Sequence, residues 1–164
     1  MSCDDFEKIT NDKQWLIKAQ KIIKESSISP EYKTSFHAYW TVAAHQIRGQ
    51  ISNDKLLVSM LSIALPKYTG PNTLLYRGEN LFRWKSGNLG FCWSSNIETV
   101  KMFARGLNAT KTGGILLKCY VPSKAILAGP SEHSNYLGES EFTVNPYGIP
   151  RGIITVVETY PHSD

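Results

Sequence analysis

The sequence has few of the features that mark secreted, membrane or metal-binding proteins. Its three cysteines, Cys3, Cys92 and Cys119, form no Cys-x-x-Cys pair, so neither a disulfide framework nor a zinc site is indicated. No segment approaches the roughly 18 consecutive apolar residues of a membrane-spanning helix, and the first residues lack the basic and apolar stretches of a signal peptide. We therefore expect a cytoplasmic protein with reduced thiols and no membrane partner, which a phage or a specialised secretion machine can also deliver into a host cell.

The motifs of common nucleotide and metal enzymes are also missing. Neither a P-loop nor a Gly-x-Gly-x-x-Gly motif occurs, no Gly-x-Ser-x-Gly elbow surrounds a serine, and the histidines lack metal-ligand spacing. The excess of positive charge is mild, because 18 Lys and Arg residues stand against 14 Asp and Glu residues, for a net charge of +4. This balance suits an anionic ligand or an acidic partner surface. It leaves nucleic acid open as a partner without indicating the clustered basic face of a dedicated nucleic-acid binder.

The order of the predicted elements indicates an α+β fold in a single domain. A chain of 164 residues, 41% of them hydrophobic, has enough apolar surface for one core. Helical spacing, caps and breakers predict three helices before Pro66, at 13–25, from Pro30 to about Gly49, and from Asn53 onward. Short runs between glycines and prolines predict strands at 73–77, 90–94, 114–121, 125–128, 139–144 and 152–160, with one helix from Asn96 to about Arg105. We expect an N-terminal helical lobe, 1–66, and a mostly antiparallel β-rich core, 73–160.

Arg77 stands at the end of the first predicted strand and is followed by Gly78. Its guanidinium offers a fixed fork of donors for a phosphate or a carboxylate, and the glycine beside it would let a ligand approach the backbone. The alternative is a structural arginine that pairs with a neighbouring carboxylate. The residue types alone leave both interpretations open.

A second polar cluster lies where the strand 90–94 meets the following helix. Ser95 and, three residues later, Glu98 match a capping box, in which the hydroxyl and the carboxylate satisfy free backbone donors at a helix start. Ser94 is not needed for this cap. Its hydroxyl can therefore point into a cleft.

The strand predicted at 139–144 places Glu139 and Glu141 on the same face, about 7 Å apart. Two like charges in this arrangement repel each other and stabilise nothing, so the pair indicates a site. Carboxylates so placed can stabilise an oxocarbenium-like centre, orient a sugar hydroxyl or accept a proton. The alternative is the solvated face of an edge strand.

Taken in order, these three segments resemble the ADP-ribosyltransferase superfamily. The resemblance is to the branch built on an arginine, a serine motif and a glutamate, which includes bacterial toxins and arginine-specific ectoenzymes. It rests on an arginine at a strand end, an aromatic-Ser-Ser strand that leads into a helix, and Glu-x-Glu, and it covers about residues 73–160. It implies a helical lobe followed by a β-sandwich-like core that binds NAD as co-substrate, with no metal.

The resemblance implies NAD contacts for the first two segments. Arg77, with Gly78 beside it, matches the arginine that holds the phosphate or the nicotinamide-side ribose. Trp93, Ser94 and Ser95 occupy the place of the family's Ser-Thr-Ser. Because Trp93 replaces the first serine of that triplet, it stays open which serine supports the site and how the nicotinamide is packed.

The third segment matches the catalytic part of the family's site. Glu141 corresponds to the catalytic glutamate, which hydrogen-bonds a ribose hydroxyl and stabilises the cationic sugar. Glu139 corresponds to the upstream glutamate, which implies transfer to arginine, and Tyr136 falls where such enzymes place an aromatic that recognises the target. The chemistry is consistent, because a neutral leaving group and a developing positive charge require a fixed carboxylate and a grip on the diphosphate.

We therefore expect an NAD-dependent mono-ADP-ribosyltransferase that modifies a target protein, with arginine as the acceptor. One alternative is an NAD glycohydrolase, in which water accepts the ADP-ribose. Another, suggested by the substituted serine triplet, is a phage or effector protein that keeps the fold and binds a host partner without turnover. The oligomeric state and the target are not indicated by the sequence.

Overall fold

The computed structural model describes residues 3–162, with side chains from residue 5 onward, and the chain divides into two compact units. The first comprises the residues up to Lys67 together with Ser131–Ser134, and the second comprises Tyr68–Pro130 and the residues from Asn135 onward. The division falls where the sequence changes from helical to strand-like patterns near Pro66. In the described part of the chain, no helix is long and apolar enough to cross a membrane.

Four helices form the first unit. They are α1 (Cys3–Asn11), α2 (Trp15–Glu25), α3 (Pro30–Ile51) and α4 (Asp54–Ala64). The Ser29 hydroxyl accepts from the Tyr32 N–H at the start of α3, and the Asn53 side chain caps α4. The predicted stop of α3 at Gly49 is wrong by two residues, since the helix continues until Ser52 takes a left-handed conformation with φ of 50°.

The core of the helical unit is aromatic and is organised around one buried hydroxyl. Thr10 Oγ1 donates to the Phe6 carbonyl at 3.0 Å and accepts from the indole Nε1 of Trp15 at 2.8 Å. Its 2.6 Å contact with the Tyr39 hydroxyl is then a bond that Tyr39 donates. The polar atoms of two buried aromatic rings are thus satisfied by a single side chain, as burial requires.

The second unit contains one six-stranded sheet with the strand order β4-β5-β2-β1-β3-β6, in which every neighbouring pair is antiparallel. The strands are β1 (Thr73–Asn80), β2 (Cys92–Ser94), β3 (Gly114–Val121), β4 (Ile126–Ala128), β5 (Glu141–Val144) and β6 (Thr155–Tyr160). The helices between them are α5 (Leu81–Lys85), α6 (Ile97–Arg105) and α7 (Glu132–Tyr136). Helices followed by an antiparallel sheet confirm the predicted α+β class.

Two glycines allow α6 to pack directly on the sheet. A Cβ on Gly78 of β1 would lie 2.8 Å from the backbone nitrogen of Ala104, and a Cβ on Gly114 of β3 would lie 1.8 Å from the Ala104 carbonyl oxygen. Because these contacts are to helix backbone, no side-chain movement can relieve them. The close approach fixes α6, and with it the end of β2 from which the helix starts.

Candidate active site

The sheet brings the three chemistry-bearing segments onto neighbouring strands. Glu141 on β5 lies opposite Ser94 on β2, and Ser94 lies opposite Tyr76 on β1, the residue before Arg77. Residues directly opposite each other in an antiparallel pair have their side chains on one face. The central strands therefore place Tyr76, Ser94 and Glu141 in one row on one face of the sheet. Arg77, the next residue of β1, lies on the opposite face, and its charge still acts on Glu141.

Ser94 is buried and its hydroxyl joins the strand to the segment that precedes β5. Its Oγ donates a short hydrogen bond to the carbonyl of Glu139 and accepts from the Asn96 N–H at 2.9 Å. The hydroxyl therefore holds the backbone on which both glutamates are carried. This contact was not expected from the sequence, which indicated only a hydroxyl pointing into a cleft.

The predicted capping box at Ser95 is wrong. The cap of α6 is Asn96, whose Oδ1 accepts from the N–H groups of Glu98 at 3.1 Å and Thr99 at 3.4 Å. The Asn96 carboxamide also donates to the Gly138 carbonyl at 3.1 Å, which a serine hydroxyl in this position would not reach in addition to capping. Ser95 has an exposed side chain, and its N–H donates to the Ser140 carbonyl at 3.4 Å.

Glu139 and Glu141 do not share a strand, so the predicted strand start at residue 139 is wrong. β5 begins at Glu141, and Ser140 takes a left-handed conformation with φ of 44°, which breaks the alternation of an extended chain. The two carboxylates are nevertheless close enough to interact, because the charge of Glu139 raises the pKa of Glu141. Both side chains are half-buried.

The electrostatics of Glu141 set it apart from an ordinary surface carboxylate. Burial raises its pKa to about 7, and the negative charge of Glu139 acts in the same direction. A hydrogen bond from the Cys92 thiol and the positive charge of Arg77 oppose the rise. A carboxyl group that titrates near neutrality in a polar cluster is typical of a functional site, because structural carboxylates are ordinarily kept ionised.

Arg77 forms an ion pair with a neighbouring carboxylate, as the structural one of its two interpretations predicts. Its Nε donates to Glu79 Oε2 at 2.8 Å, and its Nη1 donates to the Cys92 carbonyl. Glu79 is fully buried and also accepts from the Gly90 N–H at 3.0 Å. The pair fixes the guanidinium next to β2, where its charge acts on Glu141.

Three residues that support this cluster were not predicted from the sequence as site residues. Glu79 follows Arg77 by two residues on β1, and Gly90 and Cys92 belong to the predicted strand 90–94. Gly90 leaves space for the guanidinium, since a Cβ there would lie 1.9 Å from Arg77 Nη2. The alternation Arg77-x-Glu79 along β1 is a signal that would have indicated the pair, because residues two apart share a face of a strand.

Of the other candidate residues, Gly78 and Trp93 are packed in the sheet unit and Tyr136 is exposed. The side of Gly78 that a Cβ would occupy is filled by α6, so helix packing accounts for this glycine. Trp93 is 1% exposed, and its Nε1 donates to the Gly90 carbonyl at 3.2 Å, so its indole belongs to the core of the sheet unit. Tyr136 is 87% exposed at the end of α7, shortly before the glutamates.

Comparisons of the chain with protein-family models, with curated proteins and with solved structures found no match. Among the described residues, no group of three or more His, Cys, Asp or Glu side chains is arranged to hold a metal ion. Cys92 and Cys119, whose side chains the structure describes, form no disulfide.

Proposed function

We propose that the protein transfers ADP-ribose from NAD to an arginine of a target protein and releases nicotinamide. The observation that carries this proposal is the alignment of Glu141 with Ser94 across β5 and β2, with Arg77 on the next strand close enough for its charge to act on Glu141. These are the residues on which the resemblance to arginine-specific ADP-ribosyltransferases rests. Their convergence supports a common site, because they come from distant parts of the chain.

The charge of Glu141 suits the bond cleavage. Breaking the bond between nicotinamide and ribose releases neutral nicotinamide and leaves positive charge on the sugar. A carboxylate fixed in a partly buried position stabilises that charge more strongly than one in water. The pKa of about 7 means that the ionised form is accessible at neutral pH, and a cationic nicotinamide nearby lowers the pKa further.

We assign the acceptor to Glu139. It carries a negative charge close to Glu141, and its carbonyl is fixed by the Ser94 hydroxyl. A guanidinium that enters beside the two carboxylates offsets their mutual repulsion. As the bond between nicotinamide and ribose breaks, one guanidinium nitrogen forms the bond to the ribose carbon and loses a proton to Glu139, so the ADP-ribosylated guanidinium keeps a single positive charge.

Arg77 is proposed to hold the anionic diphosphate of NAD. Two of its donors are engaged by Glu79 and the Cys92 carbonyl, which fixes the orientation of the guanidinium. Preorganisation of this kind lowers the entropy lost when a ligand binds. The net charge of +4 is compatible with an anionic co-substrate.

The test is incubation of the protein with labelled NAD and a cell extract, followed by detection of labelled protein and released nicotinamide. We expect labelling by the wild type, none by Glu141→Gln, and unchanged labelling by Glu98→Gln, whose exposed carboxylate lies on the surface of α6. A guanidino compound such as agmatine should serve as an acceptor for the wild type. Absence of both transfer and nicotinamide release would contradict the proposal, and free ADP-ribose without transfer would indicate glycohydrolysis.

A further inference from the structure

Cys92 occupies a position next to both charged groups of the candidate site. It lies two residues before Ser94 on β2, so the two side chains share a face of the strand. Glu141 is opposite Ser94, and Thr143 is opposite Cys92, which makes Cys92 a diagonal neighbour of Glu141. The thiol is half-buried, and from this diagonal position it acts as a donor that lowers the pKa of the Glu141 carboxyl.

The backbone of the same residue holds the arginine. The Cys92 carbonyl accepts from Arg77 Nη1, while Arg77 Nε is bound by the buried Glu79 carboxylate. Cys92 therefore contacts the negative group of the site through its side chain and the positive group through its main chain. The side-chain contact can be removed by substitution without changing the main-chain contact.

We propose that Cys92 is a positioning residue for Glu141, and that its thiol holds the carboxylate in line with Ser94. This inference rests on the proposed function for its catalytic consequence, but the contact itself does not depend on that function. A thiol is a weak donor, so it orients the carboxylate without holding it permanently ionised. The carboxylate remains available for a ribose hydroxyl.

The charged groups that face Glu141 act in known directions. Arg77 from β1 and the Cys92 thiol from β2 favour the ionised form, whereas Glu139 from the preceding segment disfavours it. Loss of the thiol donor leaves burial and Glu139 opposed by Arg77 alone. The titration midpoint of Glu141 should therefore rise when the donor is removed.

The experiment measures the titration of the Glu141 side-chain carboxyl carbon by NMR, with the signal assigned by its absence in Glu141→Gln. In Cys92→Val, which keeps the volume and removes the donor, we expect the midpoint to rise by about one pH unit from its wild-type value. In Cys92→Ser, which keeps a donor, it should not rise. Cys119→Val is the matched control, because Cys119 is buried in the core of the sheet unit, and it should leave the midpoint unchanged.

An unchanged midpoint in Cys92→Val would overturn the proposal, and so would an equal rise in Cys92→Val and Cys92→Ser, since that indicates packing and not hydrogen bonding. If Cys92→Val does not fold, methylthiolation of the thiols gives the answer. The reagent should raise the midpoint in the wild type, reversibly by reduction, and leave it unchanged in Cys92→Ser. A rise in both proteins, or in neither, counts against the proposal.

Kinetics of nicotinamide release separate this proposal from the proposed function. If the wild type is active, the rate of nicotinamide release should rise with pH as Glu141 ionises. In Cys92→Val this rise should move to higher pH by the same amount as the NMR midpoint, with the KM for NAD unchanged. A midpoint shift without this shift of the pH profile overturns the positioning role. A wild type that releases no nicotinamide refutes the proposed function, while the titration still shows whether Cys92 holds Glu141.

Discussion

Replacing Glu141 by glutamine should stabilise the protein, and the gain should depend on pH. Because burial raises the pKa of this carboxyl to about 7, from an ordinary value of 4.5, the folded state holds a proton that the unfolded chain loses more readily. Well below pH 4.5, Glu141 is protonated in both states and its ionisation costs no stability. Between pH 4.5 and 7 the free energy of unfolding falls as pH rises, and above pH 7 this contribution is constant. The cost is under about 1 kcal/mol at pH 5 and about 3 kcal/mol at pH 8.

Glutamine has the same shape without the charge, so Glu141→Gln removes this cost. Urea denaturation at pH 5 and pH 8 should give a free energy of unfolding close to that of the wild type at the lower pH and about 3 kcal/mol higher at the upper one. Glu98→Gln, at a side chain that is 75% exposed, should show no such dependence. An equal effect of Glu141→Gln at both pH values, or destabilisation at pH 8, would refute the argument that Glu141 is ionised at a cost.

Four further outcomes are expected. Gly114→Ala should destabilise the protein by about 3 kcal/mol in urea denaturation, because its Cβ would meet helix backbone. Gly49→Ala, whose Cβ would have nothing within 4 Å, should stabilise the protein by up to about 1 kcal/mol. Equal effects of the two substitutions would contradict the packing argument. Arg77→Met should lower the free energy of unfolding by about 3–5 kcal/mol, since it leaves Glu79 buried without its main partner, and a change below about 1 kcal/mol would show that the pair is unimportant. Asn96→Ala should lower the free energy of unfolding by about 1 kcal/mol and with it the thermal midpoint. A larger decrease in Ser95→Ala would show that Ser95, and not Asn96, is the cap of α6. The kcat/KM for nicotinamide release should rise with pH through about 7 and then level off, and a pH-independent profile between 6 and 8 would exclude Glu141 as the group that must be ionised.

The elements that local chemistry determines could be predicted from the sequence. Ser29 and Asn53 cap their helices because a short polar side chain before an amphipathic segment satisfies the first free N–H groups. The strand Gly114–Val121 has the predicted bounds, because its apolar run is delimited by turn residues. These signals depend on neighbours in the sequence and not on the tertiary structure.

The errors concern positions where tertiary contacts decide. Ser95 and Asn96 can both cap a helix, and the choice of Asn96 depends on its bond to the Gly138 carbonyl, 42 residues away. Likewise, the alternation of residues 139–144 predicted a strand through Ser140, which instead turns into a left-handed conformation. The convergence of the site residues depends on strand order, which the sequence pattern does not specify.

Glu79, which is buried, and Glu141, which is half-buried, show how surroundings shift the pKa of two carboxyl groups of one sheet in opposite directions. Burial alone would raise the pKa of Glu79, but Arg77, Arg83 and the Asn80 N–H hold it below its ordinary value. Its ionised form therefore stabilises the fold at neutral pH, and this contribution is lost only as pH falls through the lowered pKa. For Glu141, the Cys92 thiol and the charge of Arg77 do not outweigh burial and the neighbouring negative charge of Glu139, so its pKa stays raised. In the proposed reaction the transient positive charge of the sugar is therefore assigned to Glu141, because the charge of Glu79 is already balanced by Arg77 and Arg83 in the folded protein.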